Sequence, residues 1–196
     1  MPATSQANSS SDSGRWLGLA NAITALRFPL APLCAWSILN DAPALAAVSF
    51  GVAVASDLLD GRVARLRGEV SRLGGLLDHT SDALFVAAGL AALASLGHVP
   101  WLLPPLVLLA FIQYALDSRV LAGRQLRTSR IGRLNGIAYF VLLGTPLIRD
   151  VLGLSWPAPG LVFALGWLLV ASTGISMADR GWAFWLSRRA PASPGG

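Results

Sequence analysis

Apolar residues along this chain fall into six long runs, near residues 17–39, 43–65, 73–97, 100–119, 134–152 and 159–178, separated by short polar or proline-containing breaks. At 1.5 Å per helical residue, each run is about long enough to cross the ~30 Å of a bilayer's hydrocarbon core. The breaks are Asn40-Asp41-Ala42-Pro43, Gly97-His98-Val99-Pro100 and Ser155-Trp156-Pro157, all turn chemistry. Pro146 predicts an interruption of the fifth run, because proline removes a helical donor. The pattern predicts an all-α polytopic membrane protein, a bundle of six transmembrane helices. The first stretch, 1–14, is rich in Ser, Asn, Ala and Thr with Asp12 its only charge, and reads as a disordered tail. It has no basic segment ahead of an apolar run, so a cleaved signal peptide is not expected. Residues 190–196 read as a second loose tail, which leaves 15–189 as one membrane domain.

Composition agrees with the pattern: 54% of the 196 residues are hydrophobic, and the mean hydropathy of +0.59 excludes an ordinary soluble domain. All 15 basic residues are arginine. Arg15, Arg62, Arg65, Arg67, Arg72, Arg119, Arg124, Arg127, Arg130, Arg133, Arg180, Arg188 and Arg189 all fall on one side of a six-span topology, whereas the opposite loops hold Arg149. The positive-inside rule then puts both termini in the cytoplasm. Trp16, Trp101, Trp156, Trp182 and Trp185 lie near predicted span ends and read as interface anchors. The lone Cys34 has no internal partner and reads as a small buried hydrophobe.

Against this apolar background, four of the ten acidic residues crowd one junction, as Asp57 and Asp60 before the turn and Asp78 and Asp82 after it. Spacings of three and four residues put each pair on one helix face. On a wheel of ~100° per residue, Asp57, Asp60, Gly61, Ala64 and Arg65 span about 140°. Fifteen uncharged residues precede Asp57 and fifteen follow Asp82, so the two pairs lie at matched depth on antiparallel helices. Gly61, Ala64 and Gly74 keep side-chain bulk away from the acids. Carboxylates gathered within a membrane span are costly unless something binds them. An all-oxygen set suits Mg²⁺, Mn²⁺ or Ca²⁺, and paired ions of this kind clamp phosphoryl groups. Arg65 beside them suits a phosphate oxygen.

The string from Asp57 to Asp82 resembles the signature of the CDP-alcohol phosphotransferases at all eight fixed positions, D-x-x-D-G-x-x-A-R, eight residues, G-x-x-x-D-x-x-x-D. Asn21, Thr24 and Arg27 resemble the N-x-x-T-x-x-R pattern of that family's first helix. The resemblance implies an enzyme that displaces CMP from a CDP-linked donor with an alcohol, using Mg²⁺ or Mn²⁺ in a two-metal site. By position it implies Asp57, Asp60, Asp78 and Asp82 as metal ligands, with Asp82 also the base on the acceptor hydroxyl. Asn21, Thr24, Asp57, Gly61, Ala64, Arg65 and Gly74 would form the CDP site. It further implies an integral protein of the bacterial inner membrane with its site on the cytoplasmic side, no nucleic-acid partner, and homodimers as a common state.

The expected substrates are CDP-diacylglycerol and a small polar alcohol, such as glycerol-3-phosphate or inositol phosphate. Arg119, Arg127, Arg130 and Arg133 are candidates for an acceptor phosphate, the alternative being topology determinants facing lipid headgroups. CDP-choline or CDP-ethanolamine donating to a lipid alcohol is the alternative within the class, and a small cation transporter the alternative outside it. Transporters place such acids near the midplane, often on broken helices or in repeated halves, whereas these lie near one membrane face, on uninterrupted segments and without an internal repeat. His79 and Asp179-Arg180 read as structural, the latter as a neutralised helix end.

Overall fold

A computed structural model describes residues 19–68, 72–120 and 130–189. Helices α1 (Leu19–Ala25), α2 (Arg27–Leu39), α3 (Pro43–Arg67), α4 (Arg72–Ser95), α5 (Leu103–Val120), α6 (Arg130–Val151) and α7 (Pro159–Arg189) follow in order. Among the described residues there is no strand. The chain is an all-α, multi-pass membrane protein.

The first apolar run is one candidate span, Asn21–Leu39, broken by a turn at Leu26. Pro29 supplies the reason: it has no N–H for the Ala25 carbonyl and its ring crowds that oxygen, so the ladder breaks one turn upstream. Four more helical stretches are long and apolar enough to cross, Pro43–Arg67, Gly74–Ser95, Ile131–Val151 and Pro159–Ala183, and Leu103–Leu116 is a shorter apolar stretch. The whole of α5 is 18 residues, about 27 Å; Asp117 and Arg119 end its apolar part early.

Two expectations about the last helices need correction. Pro146 does not interrupt the fifth run, since α6 continues through it to Val151. The sixth run does not end near 178 either. Residues 159–189 form one helix of 31 residues, because no proline follows Pro159 until Pro191, and of its four glycines Gly181 alone lies beyond 178 and costs too little to stop it.

Packing follows a small-residue logic. On α3 the buried positions are Ala46, Ser49, Ala53, Ser56 and Asp60, and on α2 they include Arg27, Ala31, Cys34 and Ile38, both at alternating spacings of three and four. Small side chains let helices approach closely inside a bilayer. The serines satisfy their own hydroxyls, Ser49 to the Leu45 carbonyl and Ser56 to that of Ala53, each at 2.7 Å. Each stripe ends in a charged residue, Asp60 on one helix and Arg27 on the other. Bulky residues face outward instead: Trp36, Val48, Leu58 and Leu66 are exposed, as side chains in contact with lipid should be. Trp101, Trp156, Trp182 and Trp185 are exposed as well.

α2 packs against α3 and α4, while α4 also touches α5 and α6. α7 closes the bundle on α5 and α6. Three polar links hold it there: Tyr139 with Thr173 at 2.5 Å, Ser172 donating to Asn135 at 2.7 Å, and Gln113 donating to the Met177 carbonyl at 3.0 Å. Gly68, at φ 65°, ends α3 with its N–H turned back to the Arg65 carbonyl.

Candidate active site

The C-terminal half of α3 and the N-terminal half of α4 bring the four aspartates together. Asp60 and Asp57 lie seven and ten residues before Arg67, about 10–15 Å inside the helix end. Asp57, Asp60 and Asp78 offer one oxygen each within 4.8 Å of one another, and Asp78 and Asp82 offer oxygens within the same distance of each other and of a His79 ring nitrogen. The two groups share Asp78. Four oxygen donors and one imidazole fit a hard divalent ion such as Mg²⁺ or Mn²⁺. Asp78 Oδ1 is buried, and among the described residues its one close polar neighbour is the Arg27 guanidinium at 2.9 Å, without hydrogen-bond geometry.

Arg27 is the residue that sequence reasoning undervalued. It entered only as the last letter of N-x-x-T-x-x-R, yet its guanidinium lies among all four carboxylates. Nη1 donates to Asp82 and lies 3.5 Å from Asp57; Nη2 donates to Asp60 and lies 2.9 Å from Asp78 Oδ1. The last approach is a charge contact without hydrogen-bond geometry. Two signals in the sequence pointed here: a lone arginine in an apolar run, and Pro29 just after it, which sets the turn that presents it.

Thr24 is buried and donates to Asp60 Oδ2 at 2.7 Å, so it orients a carboxylate directly. Asn21, Gly61, Ala64 and Gly74 are half-buried. Arg65 is exposed, and its guanidinium folds back over Gly61, where an added Cβ would meet it at 3.5 Å.

A cavity of about 580 Å³ opens beside this cluster. Asp57 and Asp82 line it, as do His79, Tyr114, Arg133 and Arg180, over an apolar floor that includes Val86, Phe111 and Phe140. Of the sequence-predicted acceptor arginines, Arg133 lines the cavity. Arg127 and the side chains of Arg119 and Arg130 lie outside the described residues.

His79 and Arg180 both line this cavity, a placement their sequence reading did not anticipate. The Arg180 guanidinium lies 5.5 Å from the Tyr114 ring centroid, and His79 meets the same ring edge-on at 5.5 Å. Gly132 makes room for that arginine: a Cβ there would overlap Arg180 Nη2.

The fold is thus a membrane bundle with a carboxylate cluster beside a cavity that arginines also line. The model of the CDP-alcohol phosphatidyltransferase family matches residues 17–178, and the chain belongs to that family and is a transferase. A Mycobacterium tuberculosis protein named "probable phosphatidylglycerophosphate synthase" is 28% identical over 176 residues, 85% of this chain and 82% of the relative. The archaetidylinositol phosphate synthase of Pyrococcus horikoshii is 36% identical over 81 residues, 41% of this chain and 43% of the relative. A Mycobacterium bovis protein provisionally named a cardiolipin synthase is 34% identical over 92 residues, 44% of this chain and 42% of the relative.

Proposed function

We propose that this protein transfers a phosphatidyl group from CDP-diacylglycerol to the hydroxyl of a small alcohol that itself carries a phosphate, glycerol-3-phosphate or an inositol phosphate, releasing CMP. The observation that carries this reading is one cavity lined both by Asp57 and Asp82 and by Arg133 and Arg180. The names of two relatives, a phosphatidylglycerophosphate synthase and an archaetidylinositol phosphate synthase, describe products that keep a phosphate.

Of the four aspartates, Asp57 and Asp82 line the cavity, which gives Asp82 access to an incoming hydroxyl. In the proposed step its carboxylate takes the hydroxyl proton, the alcohol oxygen bonds to the phosphatidyl phosphorus, and the bond from that phosphorus to the diphosphate bridging oxygen breaks, freeing CMP. An alcohol is a poor nucleophile at neutral pH, and a positioned base is worth roughly 10²–10⁴-fold. Divalent ions, Mg²⁺ or Mn²⁺, held by Asp57, Asp60, Asp78 and Asp82 would neutralise charge on the diphosphate and on the departing CMP. Thr24 fixes one of those carboxylates. Asn21, Gly61, Ala64, Arg65 and Gly74 form the nucleotide side, where small residues admit the donor and Arg65 meets its phosphates. Arg133 and Arg180 bind the acceptor phosphate by charge-assisted hydrogen bonds.

We place the protein in a bacterial inner membrane, and the arginine distribution supports both termini and the site lying on the cytoplasmic side. CDP-linked donors and phosphate-bearing acceptors would both reach it there.

An acceptor panel tests the reading. Purified protein with CDP-diacylglycerol and Mg²⁺ or Mn²⁺ is offered glycerol-3-phosphate, inositol phosphate, inositol, serine and phosphatidylglycerol, with lipid products identified by mass. CMP release and a new lipid are expected with the small phosphate-bearing acceptors and lost in EDTA. Turnover confined to inositol, serine or phosphatidylglycerol would remove the phosphate from the acceptor assignment.

A further inference from the structure

Arg27 has no role in the chemistry above, yet it is the most completely buried charge of the site. Its side chain has 0% exposure, and two of its nitrogens reach all four aspartates. Nε, by contrast, is buried without a hydrogen-bond partner among the described residues. A guanidinium placed to complete its own hydrogen bonds would use that donor; this one is placed where negative charge converges. A wholly buried cation is tolerated only when opposite charge surrounds it, and four carboxylates this close repel one another unless a cation lies between them.

We propose that Arg27 is a built-in counter-cation of the carboxylate site, holding the four aspartates together when no divalent ion is bound, and that divalent ions bind in competition with it. The two groups of ligand atoms that fit an ion, Asp57/Asp60/Asp78 and Asp78/His79/Asp82, both include carboxylates that Arg27 already contacts. An ion drawn to those oxygens meets a fixed positive charge, so its affinity is lower than the acid count alone implies. Four carboxylates and one guanidinium leave up to three negative charges, enough to attract one divalent ion strongly and a second more weakly. Arg27 is thus a positioning residue that sets the metal affinity of the site. The inference rests on the metal reading given above.

The test uses detergent-purified full-length protein without substrate. Two properties are read, the apparent melting temperature in EDTA and the Mn²⁺ affinity from the paramagnetic resonance signal of free ion. Arg27→Met is expected to melt roughly 10 °C below wild type in EDTA and to bind Mn²⁺ at least about tenfold more tightly, so that saturating Mn²⁺ narrows the stability gap. Adding Asp60→Asn to Arg27→Met removes one unpaired charge and should recover most of the loss in EDTA, a rescue that a space-filling role would not produce. Arg27→Lys keeps the charge without the two-nitrogen reach and should fall between wild type and Arg27→Met; where Arg27→Met is too unstable to isolate, Arg27→Lys read against wild type should still melt lower in EDTA and bind Mn²⁺ more tightly. Wild-type melting of the variants in EDTA, or Mn²⁺ affinity equal to or below wild type, overturns the proposal while leaving the metal reading intact. Mn²⁺ bound by neither protein sinks both.

Discussion

Two aspartates of the cluster on α3 and α4, Asp57 and Asp82, and the arginine pair on α6 and α7 line the same cavity, but the chain builds the two sides differently. The aspartates come from two adjacent antiparallel helices, at helical spacings, within 26 residues of sequence. The arginines meet their surroundings only through tertiary contacts: Arg180 rests on Tyr114 of α5, across a gap that Gly132 of α6 leaves open. On the proposed reading, the chemical step uses aspartates placed by local spacing and held by Arg27 and Thr24, whereas acceptor recognition uses side chains drawn from α5, α6 and α7, so the two sides can change separately.

The sharpest way to break the comparison is to remove one group from each side and ask which kinetic constant moves. Asp82→Asn keeps the size of the side chain and removes the proposed base, so CMP release should fall roughly 10³-fold at saturating acceptor. The measurement is metal-dependent CMP release from protein whose melting temperature shows that it is folded. Folded Asp82→Asn protein releasing CMP at the wild-type rate would separate Asp82 from the chemistry.

Arg180→Gln should act on the other constant. Loss of a charge-assisted hydrogen bond to the acceptor phosphate should raise KM for that acceptor roughly 10–100-fold, with little change in KM for CDP-diacylglycerol. Equal changes in both would mean that Arg180 serves the donor, and the two-sided picture of the cavity would fail.

Gly132→Ala probes the same contact more gently. The group that a new methyl would overlap is the far end of a flexible side chain, so the fold should tolerate it while Arg180 is pushed aside. Acceptor KM should rise by roughly fivefold to tenfold, less than for Arg180→Gln. The melting temperature should stay near wild type, and a large loss there would assign Gly132 to packing alone.

What the sequence made legible follows the same division. Six apolar runs and their Pro- and Gly-marked breaks are local signals, and they located the helices. The aspartate spacing is local too, so it put each pair on one helix face; that the two faces converge depends on α1 and α2, which pack against both α3 and α4. Arg180 was misjudged because its partner Tyr114 lies 66 positions away, and because the last helix was expected to stop at 178 although nothing in 159–189 breaks it. Arg27 was undervalued because one arginine in an apolar run shows no periodicity. Its meaning depends on what faces it across the bundle, and Asp60 and Asp82 lie 33 and 55 residues away.

Tyr114 offers the smallest and most specific test of how the recognition side is held. Its ring lies between the Arg180 guanidinium and the His79 imidazole, at 5.5 Å from each. A cation over an aromatic face is worth about 0.5–1 kcal/mol at a partly exposed site. Tyr114→Leu should therefore raise acceptor KM roughly threefold, whereas Tyr114→Phe, which keeps the ring, should leave it near wild type. The donor constants should change less than the acceptor KM, since the ring meets the Arg180 guanidinium directly and reaches the Asp78/His79/Asp82 group through His79. If Tyr114→Phe costs as much as Tyr114→Leu, the hydroxyl rather than the ring face matters. Tyr114 would then belong among the groups that bind the acceptor directly, and the basic side of the cavity would be a three-residue site instead of two arginines on an aromatic support.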